Sequence, residues 1–282
     1  MNDKAGNLYV VGTPIGNLED ITFRAIRILQ EVDIIAAEDT RHTGKLLQHF
    51  QIITPQISYH KHNCQQRQEE LLTRLLEGDK IALVTDAGMP SISDPGCELV
   101  AACLKQGIKV IPLPGANAAV TALSVAGMNG SEFVFAGFLP TKNKERETRL
   151  ETLKNETRTI IFYEAPHRLV TTLQDLAKFV GENREIFLGR ELTKLHEECI
   201  KMKLGEAIAF YSEQTPKGEF TLVMAGAARA EKLTISESEL KVELQQMLAQ
   251  GMTRSQAARQ LAQVTNLSRR QIYQLDLDGE ET

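Results

Sequence analysis

The chain has 282 residues, 42% hydrophobic, 24% charged and 5% aromatic, with no Trp; at about 150 residues per domain there is room for two folded cores. Its 32 Lys and Arg against 37 Asp and Glu leave a formal charge of -5, which excludes a wholly basic nucleic-acid coat while permitting a local basic patch. A disordered chain, a collagen and a membrane bundle are excluded by the same composition. The four cysteines, Cys64, Cys97, Cys103 and Cys199, form no CxxC pair and no metal-ligand spacing with the six histidines. They read as reduced, mostly buried thiols, and no metal site is expected. The N-terminus enters a strand-like run with neither a basic nor a long apolar leader, and the most apolar stretch, 112–127, is shorter than a membrane span. A cytoplasmic protein away from membranes is the expectation.

In chain order, LYVVG at 8–12 predicts a strand, 22–30 a helix, DIIAAE at 33–38 a strand and 44–50 a helix. IALVT at 81–85 and KVIPL at 109–113 predict further strands, with a helix over 94–106 between them. Strand and helix alternating in this way describe a parallel sheet with helices on its faces, and such sheets bind ligands outside the carboxyl ends of their strands. From 131 onward come strand-like FVFAGF, a charged helix TKNKERETRLETL, strand TIIFYE, helix HRLVTTLQDLAKFV, and strands EIFLGREL and EFTLVMAG. After residue 228 follow three short helical runs, each led by Ser or Thr. The expected fold class is therefore α/β, as two α/β domains over 1–115 and 116–228 and a helical module over 229–282.

Three Gly- and Pro-rich segments follow predicted strands. The first, VGTPIGNL at 11–18, is neither GxGxxG nor GxxxxGK[ST], so dinucleotide and Walker-type phosphate readings lack their key residues. Its glycines let backbone amides approach a ligand, and equally make an ordinary tight turn. In the second, TDAGMPSISDPG at 85–96, Asp94-Pro95 reads as a helix N-cap followed by Pro at the first helical position. Asp86, at the end of the strand, has no such structural role and is the better ligand contact. The third, PLPGANAA at 112–119, leads into a helix of small residues. Three such loops at successive strand ends describe one pocket.

The order and spacing of VGTPIGNLEDIT, AAEDTRHT, ALVTDAGMPSISDPG, PLPGANAAVTALSVAG, FAGFLP, FYEAPHRL and GRELTK resemble the ribosomal RNA small-subunit methyltransferase I family, in the tetrapyrrole-methylase-like group of S-adenosylmethionine enzymes. The resemblance is strong from Asn7 to about Ala225 and looser beyond. It implies two domains of tetrapyrrole-methylase type with the donor cleft between them, and 2'-O-methylation of a decoding-centre cytidine in 16S rRNA. S-adenosyl-L-methionine is the implied donor, 16S rRNA within the 30S subunit the implied partner, and a homodimer the usual form. Carried over by position, Pro14 and Gly16, then Asp86, Ala87, Gly88, Ser91 and Ser93, then Ala116, Asn117 and Ala118 contact the donor. Tyr163, Glu164 and Ala165 form the second-domain side of the cleft. Corrin methylases usually have a further Gly where Pro14 stands and an Asp where Asn17 stands, so a tetrapyrrole substrate is disfavoured.

Methyl transfer is an in-line displacement that positions two reactants, and a ribose hydroxyl is a poor acid that a base or a cation assists. The candidates are Glu38, Asp39 and Arg41, then Glu164, His167 and Arg168, then Arg190, Glu191 and Lys194. Each has a plainer role open to it. Asp39 can cap the following turn, His167 and Arg168 can cover a first helical turn, and Arg41, Arg190 and Lys194 can hold RNA phosphates. The charged run from Lys142 can be no more than a solvated helix face. From Met252 to Tyr273 there are four arginines, Arg254, Arg259, Arg269 and Arg270, and no acid. Their helix-turn-helix rhythm suits RNA backbone, a helical cap or a dimer contact alike. Two rival functions are a small-molecule methylase of tetrapyrrole type and a ligand-sensing DNA-binding regulator.

Overall fold

The computed structural model describes residues 5–228 and 236–275. Its contacts divide the chain into two compact units, Met1–Ala227 and Ala228–Thr282.

The first unit begins with β1 (Asn7–Val11), α1 (Phe23–Glu31), β2 (Ile34–Ala37), α2 (Thr40–His49), β3 (Gln56–Ser58), α3 (Cys64–Glu77), β4 (Ile81–Val84), α4 (Cys97–Lys105) and β5 (Lys109–Leu113). All five strands pair in parallel, in the order β3-β2-β4-β1-β5. The central strands IIAA and IALV are buried at every position, because helices cover both faces of the sheet. Alternate strand residues serve opposite faces. Val11, Ile35, Ala37, Ala82 and Val84 pack with Ile28 and Leu29 of α1 and Leu47 of α2, whereas Leu8, Ile34, Ala36, Ile81 and Leu83 pack with Leu71, Leu75, Leu99 and Cys103 of α3 and α4. The edge strand β3 and helix α3 carry no strong sequence signal and were not anticipated.

A second sheet follows α5 (Ala118–Val125). It contains β6 (Phe133–Gly137), α6 (Asn143–Lys154), β7 (Thr159–Glu164), α7 (Leu169–Val180), β8 (Glu185–Arg190), β9 (Glu198–Lys203), α8 (Leu204–Ser212) and β10 (Phe220–Met224). Its order is β6-β7-β10-β8-β9, with β6 and β7 parallel and the other pairs antiparallel. One face packs on α6, α7 and α8 through Leu150, Leu153, Leu173, Leu176, Leu204 and Ala207. On the other face, Ile161, Phe187 and Val223 meet Ala119, Ala122 and Leu123 of α5. Strand β9 and helix α8 are additions to the sequence reading.

The second unit consists of α9 (Glu237–Ala249), α10 (Arg254–Val264) and α11 (Arg269–Tyr273). Ser236, Thr253 and Ser268 each form a capping box with the Glu or Gln three residues on, the start signal read from the sequence. Leu240, Leu244, Ala257, Ala258, Leu261 and Ile272 make the unit's core. The cysteines correct an expectation: only Cys103 is buried, while Cys97 and Cys199 are exposed. Among the described residues no helix is long and apolar enough to cross a membrane.

Candidate active site

The loops after β1, β4 and β5 meet at close range. Thr13 pairs with Gly88 through reciprocal backbone hydrogen bonds of 2.9 and 3.0 Å, and Thr13 Oγ1 donates to the Thr85 carbonyl at 3.0 Å. A Cβ on Gly12 would lie 2.7 Å from the Gly115 Cα and 2.7 Å from the Met89 sulfur, so the first and third loops touch backbone to backbone, and only glycine fits. The middle loop holds Ser91 and Ser93 at φ of 71° and 69°, conformations that side chains rarely adopt and that concentrate at functional sites.

Against these loops the second sheet sets the 190–194 turn, with Glu191 and Thr193 also at positive φ. Lys194 Nζ binds Glu191 and Glu219 at 2.8 Å each. Burial alone would lower the Lys194 pKa, but the two carboxylates outweigh it and raise it, keeping the ammonium charged. Gly16 packs on this turn, where a Cβ would overlap the Lys194 side chain and crowd Thr193 and Leu192.

Two cavities result, sharing Ile15, Ala87, Lys194 and Glu219 as a common wall. The first, about 480 Å³, is bounded by Ala87, Gly88, Ser93, Asn117 and Ala118 from the first three loops, and by Tyr163, Glu164, Ala165 and His167 from the end of β7. Both volumes are typical of small-molecule sites. Met89, Ile92, Phe138, Leu192 and Phe220 supply its apolar surface. Tyr163 stacks edge-on with Phe135 and Phe138 at 5.0 and 5.7 Å and accepts the Ala119 amide at 3.3 Å; burial raises its pKa. Asn117 both lines this cavity and caps α5 through the Val120 amide. The second cavity, about 510 Å³, is bounded by Thr13, Pro14, Gly16, Asp86, His42 and Lys45.

The residues predicted to contact one ligand are thus divided. Pro14, Gly16 and Asp86 border the second cavity, Ala87 borders both, and the Gly88, Ser93, Asn117, Ala118 and Tyr163–Ala165 group borders the first. Ser91 and Ala116 border neither. Ser91 turns its hydroxyl toward Gly96 and its amide to the Pro95 carbonyl at 3.3 Å, a loop-holding role. Asp94 is the reverse correction. Helix α4 begins at Cys97 after Gly96 at φ 140°, with no side-chain cap, and Asp94 lines the first cavity instead. Burial, then the charges of Glu38 and Asp86, push its pKa up to about 6.

Six candidate catalytic residues, Glu38, Asp39, Arg41, Arg168, Arg190 and Glu191, lie outside both cavities. Glu38 is half-buried and accepts the Asp86 amide at 3.4 Å; burial raises its pKa against that hydrogen bond. Asp39 caps α2 and pairs with exposed Arg41 at 2.6 Å, which holds its carboxyl well below the usual range. Arg190 donates to the Lys217 carbonyl at 2.8 Å and pairs with Glu198 at 3.4 Å. Glu164 keeps its place in the wall, but its carboxylate is fully buried, receiving Thr172 Oγ1 at 2.5 Å and the Ala165 amide at 2.8 Å. That arrangement is unsuited to a base that must reach a substrate. His167 is exposed at the rim. Arg146, on the charged helix read as a solvated face, is buried. In the second unit Arg259, Arg269 and Arg270 are exposed, whereas Arg254 is drawn inward: it binds the Leu275 carbonyl and lies 5.8 Å from the Tyr273 ring. The apolar wall and Glu219 went unnoticed in the sequence. Glu219 directly follows the Gly-containing PKG and carries no motif of its own.

Residues 7–208 match the family described as Tetrapyrrole (Corrin/Porphyrin) Methylases. A "Ribosomal RNA small subunit methyltransferase I" from Synechocystis sp. is 58% identical over 275 residues, covering 98% of this chain and 99% of the relative. A protein of the same name from Thermotoga maritima is 49% identical over 221 residues, which is 78% of this chain and 99% of that one. Among solved structures, uroporphyrin-III C-methyl transferase from Thermus thermophilus, complexed with S-adenyl homocysteine, aligns with a TM-score of 0.57 at 16% identity, covering 77% of this chain and 97% of that one. At that identity the likeness speaks for the fold.

Proposed function

Because the chain belongs to the ribosomal RNA small subunit methyltransferase I family, within the tetrapyrrole methylases, we propose that it moves a methyl group from S-adenosylmethionine to the 2'-hydroxyl of a decoding-centre cytidine in 16S rRNA. The observation that carries this reading is the pair of cavities meeting at one wall. The first suits the donor: apolar side chains and an aromatic edge for a nucleoside, and the Asp94 carboxylate for a ligand bearing two cationic groups. The second suits the acceptor: Lys45 offers a cation to an anionic chain, and His42 a ring that can hydrogen-bond to it.

Within this reading Lys194 faces both ligands. Methyl transfer turns a sulfonium into a neutral thioether while negative charge gathers on the ribose oxygen. A fixed ammonium at the common wall stabilises that charge as it develops. Asp86, whose Oδ1 accepts the Asp39 amide at 3.1 Å, is the carboxylate placed on the acceptor side to receive the proton. The assembled 30S subunit as substrate and a homodimer as the acting form belong to the same reading, as does RNA backbone binding by exposed Arg259, Arg269 and Arg270.

The test is incubation with labelled S-adenosylmethionine and either naked 16S rRNA or 30S subunits, followed by mapping of the label. Label on the ribose of one cytidine is expected. Label on a base, or none on either RNA, would overturn the assignment. Exchanging Arg259 and Arg270 for Glu should weaken RNA binding and leave donor affinity intact; unchanged RNA binding removes the tail from the interface.

A further inference from the structure

Behind the wall of the first cavity runs a largely buried polar chain, of which Glu164 alone borders the cavity. Arg146 of α6 pairs with Asp175 at 2.6 Å, and its Nη2 donates to Thr172 Oγ1 at 2.7 Å. Thr172 Oγ1 donates in turn to Glu164 Oε2 at 2.5 Å. The direction is fixed by chemistry: a guanidinium only donates, so the single hydroxyl proton of Thr172 has to go to Glu164. Arg168 closes the group, 3.6 Å from Glu164 Oε1 and donating to the Leu139 carbonyl at 2.7 Å. Arg146 also reaches the Pro140 carbonyl at 3.3 Å.

The two arginines therefore tie the 138–140 loop to the start of α7, and Glu164 ties the end of β7 to both. Phe138, Tyr163 and Ala165 are the cavity residues carried by these segments. A carboxylate with no exposed surface is tolerated only while its oxygens are paired. When a donor is lost, the cheapest relief is movement of Glu164 toward water, and with it the wall. A cavity of about 350 Å³ borders Arg146 and Arg168 from outside. With both guanidinia already engaged, it is the outer face of this chain rather than an anion site.

We infer that Thr172 and Arg146 are positioning residues for the methyl-donor site, acting through Glu164 on the wall formed by Phe138, Tyr163 and Ala165. The inference rests on the first cavity being the donor site. It is tested by calorimetric titration of the full-length protein with S-adenosylmethionine alone, without RNA. Thr172→Val, which keeps the shape and removes the proton, should weaken donor binding at least fivefold at a temperature where circular dichroism shows a native fold. Thr172→Ser, which restores the hydroxyl, should bind within twofold of the natural protein. If Thr172→Val does not fold, Arg146→Met carries the same expectation. Ala118→Trp, which fills the cavity, separates the two ideas. Lost binding in Ala118→Trp with unchanged affinity in Thr172→Val or Arg146→Met overturns the positioning role alone. Normal binding in Ala118→Trp overturns the site, and the positioning role with it.

Discussion

The two cavities that share Ile15, Ala87, Lys194 and Glu219 are built from the same loops but differ in character. The first draws its walls from both sheets, with large apolar side chains from distant points in the chain, and its second-sheet side is fixed by buried hydrogen bonds. The second lies mainly over the strand ends of the first sheet and presents His42, Lys45 and Asp86. A site that must enclose one small ligand needs shape held from behind. A site that receives a polymer needs charge at an opening. Damage to the common framework should therefore strike both functions, and damage to one wall only one.

The largest effect is expected where the loops touch. Gly12→Ala places a methyl group against Gly115 Cα and the Met89 sulfur; the Met89 side chain can shift, but the Gly115 backbone leaves little room to yield. A destabilisation of about 1–3 kcal/mol is expected from overpacking. Because the first and third loops are driven apart, donor affinity and rRNA methylation should both fall by about tenfold or more. Thermal melting and donor titration check this; an unchanged melting temperature with normal donor affinity would mean that the contact is loose.

A middle-sized and more selective effect is expected at the common wall. Lys194→Met removes the ammonium between Glu191 and Glu219. The methylation rate should drop about 100-fold, the scale of losing one charge-stabilising donor, while S-adenosylmethionine affinity changes by about threefold or less. Single-turnover kinetics beside calorimetry reads both. Equal losses in the two would place Lys194 in donor binding and erase the division between the cavities.

How much of this was legible follows the range of each signal. The central strands and the three loops announce themselves locally: IIAA and IALV as unbroken apolar runs, the loops through Gly and Pro at strand ends. The capping boxes at Ser236, Thr253 and Ser268 are equally local. What escaped is either weak or distant. Strand β3 has three half-buried residues at a sheet edge, and α3 begins at Cys64 with no side-chain cap from Asn63 before it. β9 alternates on an outer edge. The apolar wall of the first cavity gathers Ile15, Met89, Leu192 and Phe220, which no window of sequence holds together. Asp94 misled because Asp-Pro usually opens a helix, whereas here Gly96 turns the chain first. Arg146 misled because its helix is dominated by charged residues, and only the fold shows that Asp175 and Thr172 are waiting for it.

Asp94 offers the smallest effect and the finest test of the contrast. Burial and the neighbouring Glu38 and Asp86 raise its pKa from 3.8 to about 6. Between these values the folded protein holds a proton that the unfolded chain has released. Stability therefore falls as pH rises through this window, and the full cost is present above about pH 6. Asp94→Asn removes that cost. With the side chain only partly buried and solvent screening the charges, the gain should be about 1 kcal/mol, or about 2–4 °C in melting temperature, at pH 7.5. It should vanish near pH 4, where the natural carboxyl is already protonated in the folded state. Melting curves of the ligand-free protein at the two pH values decide it, and a gain of equal size at both would mean that packing, not charge, is at work. In the second cavity Lys45→Ala should give no such pH-dependent gain, since it removes no raised acid. An identical pattern there would show that the whole cleft, rather than the donor side, stores the charge.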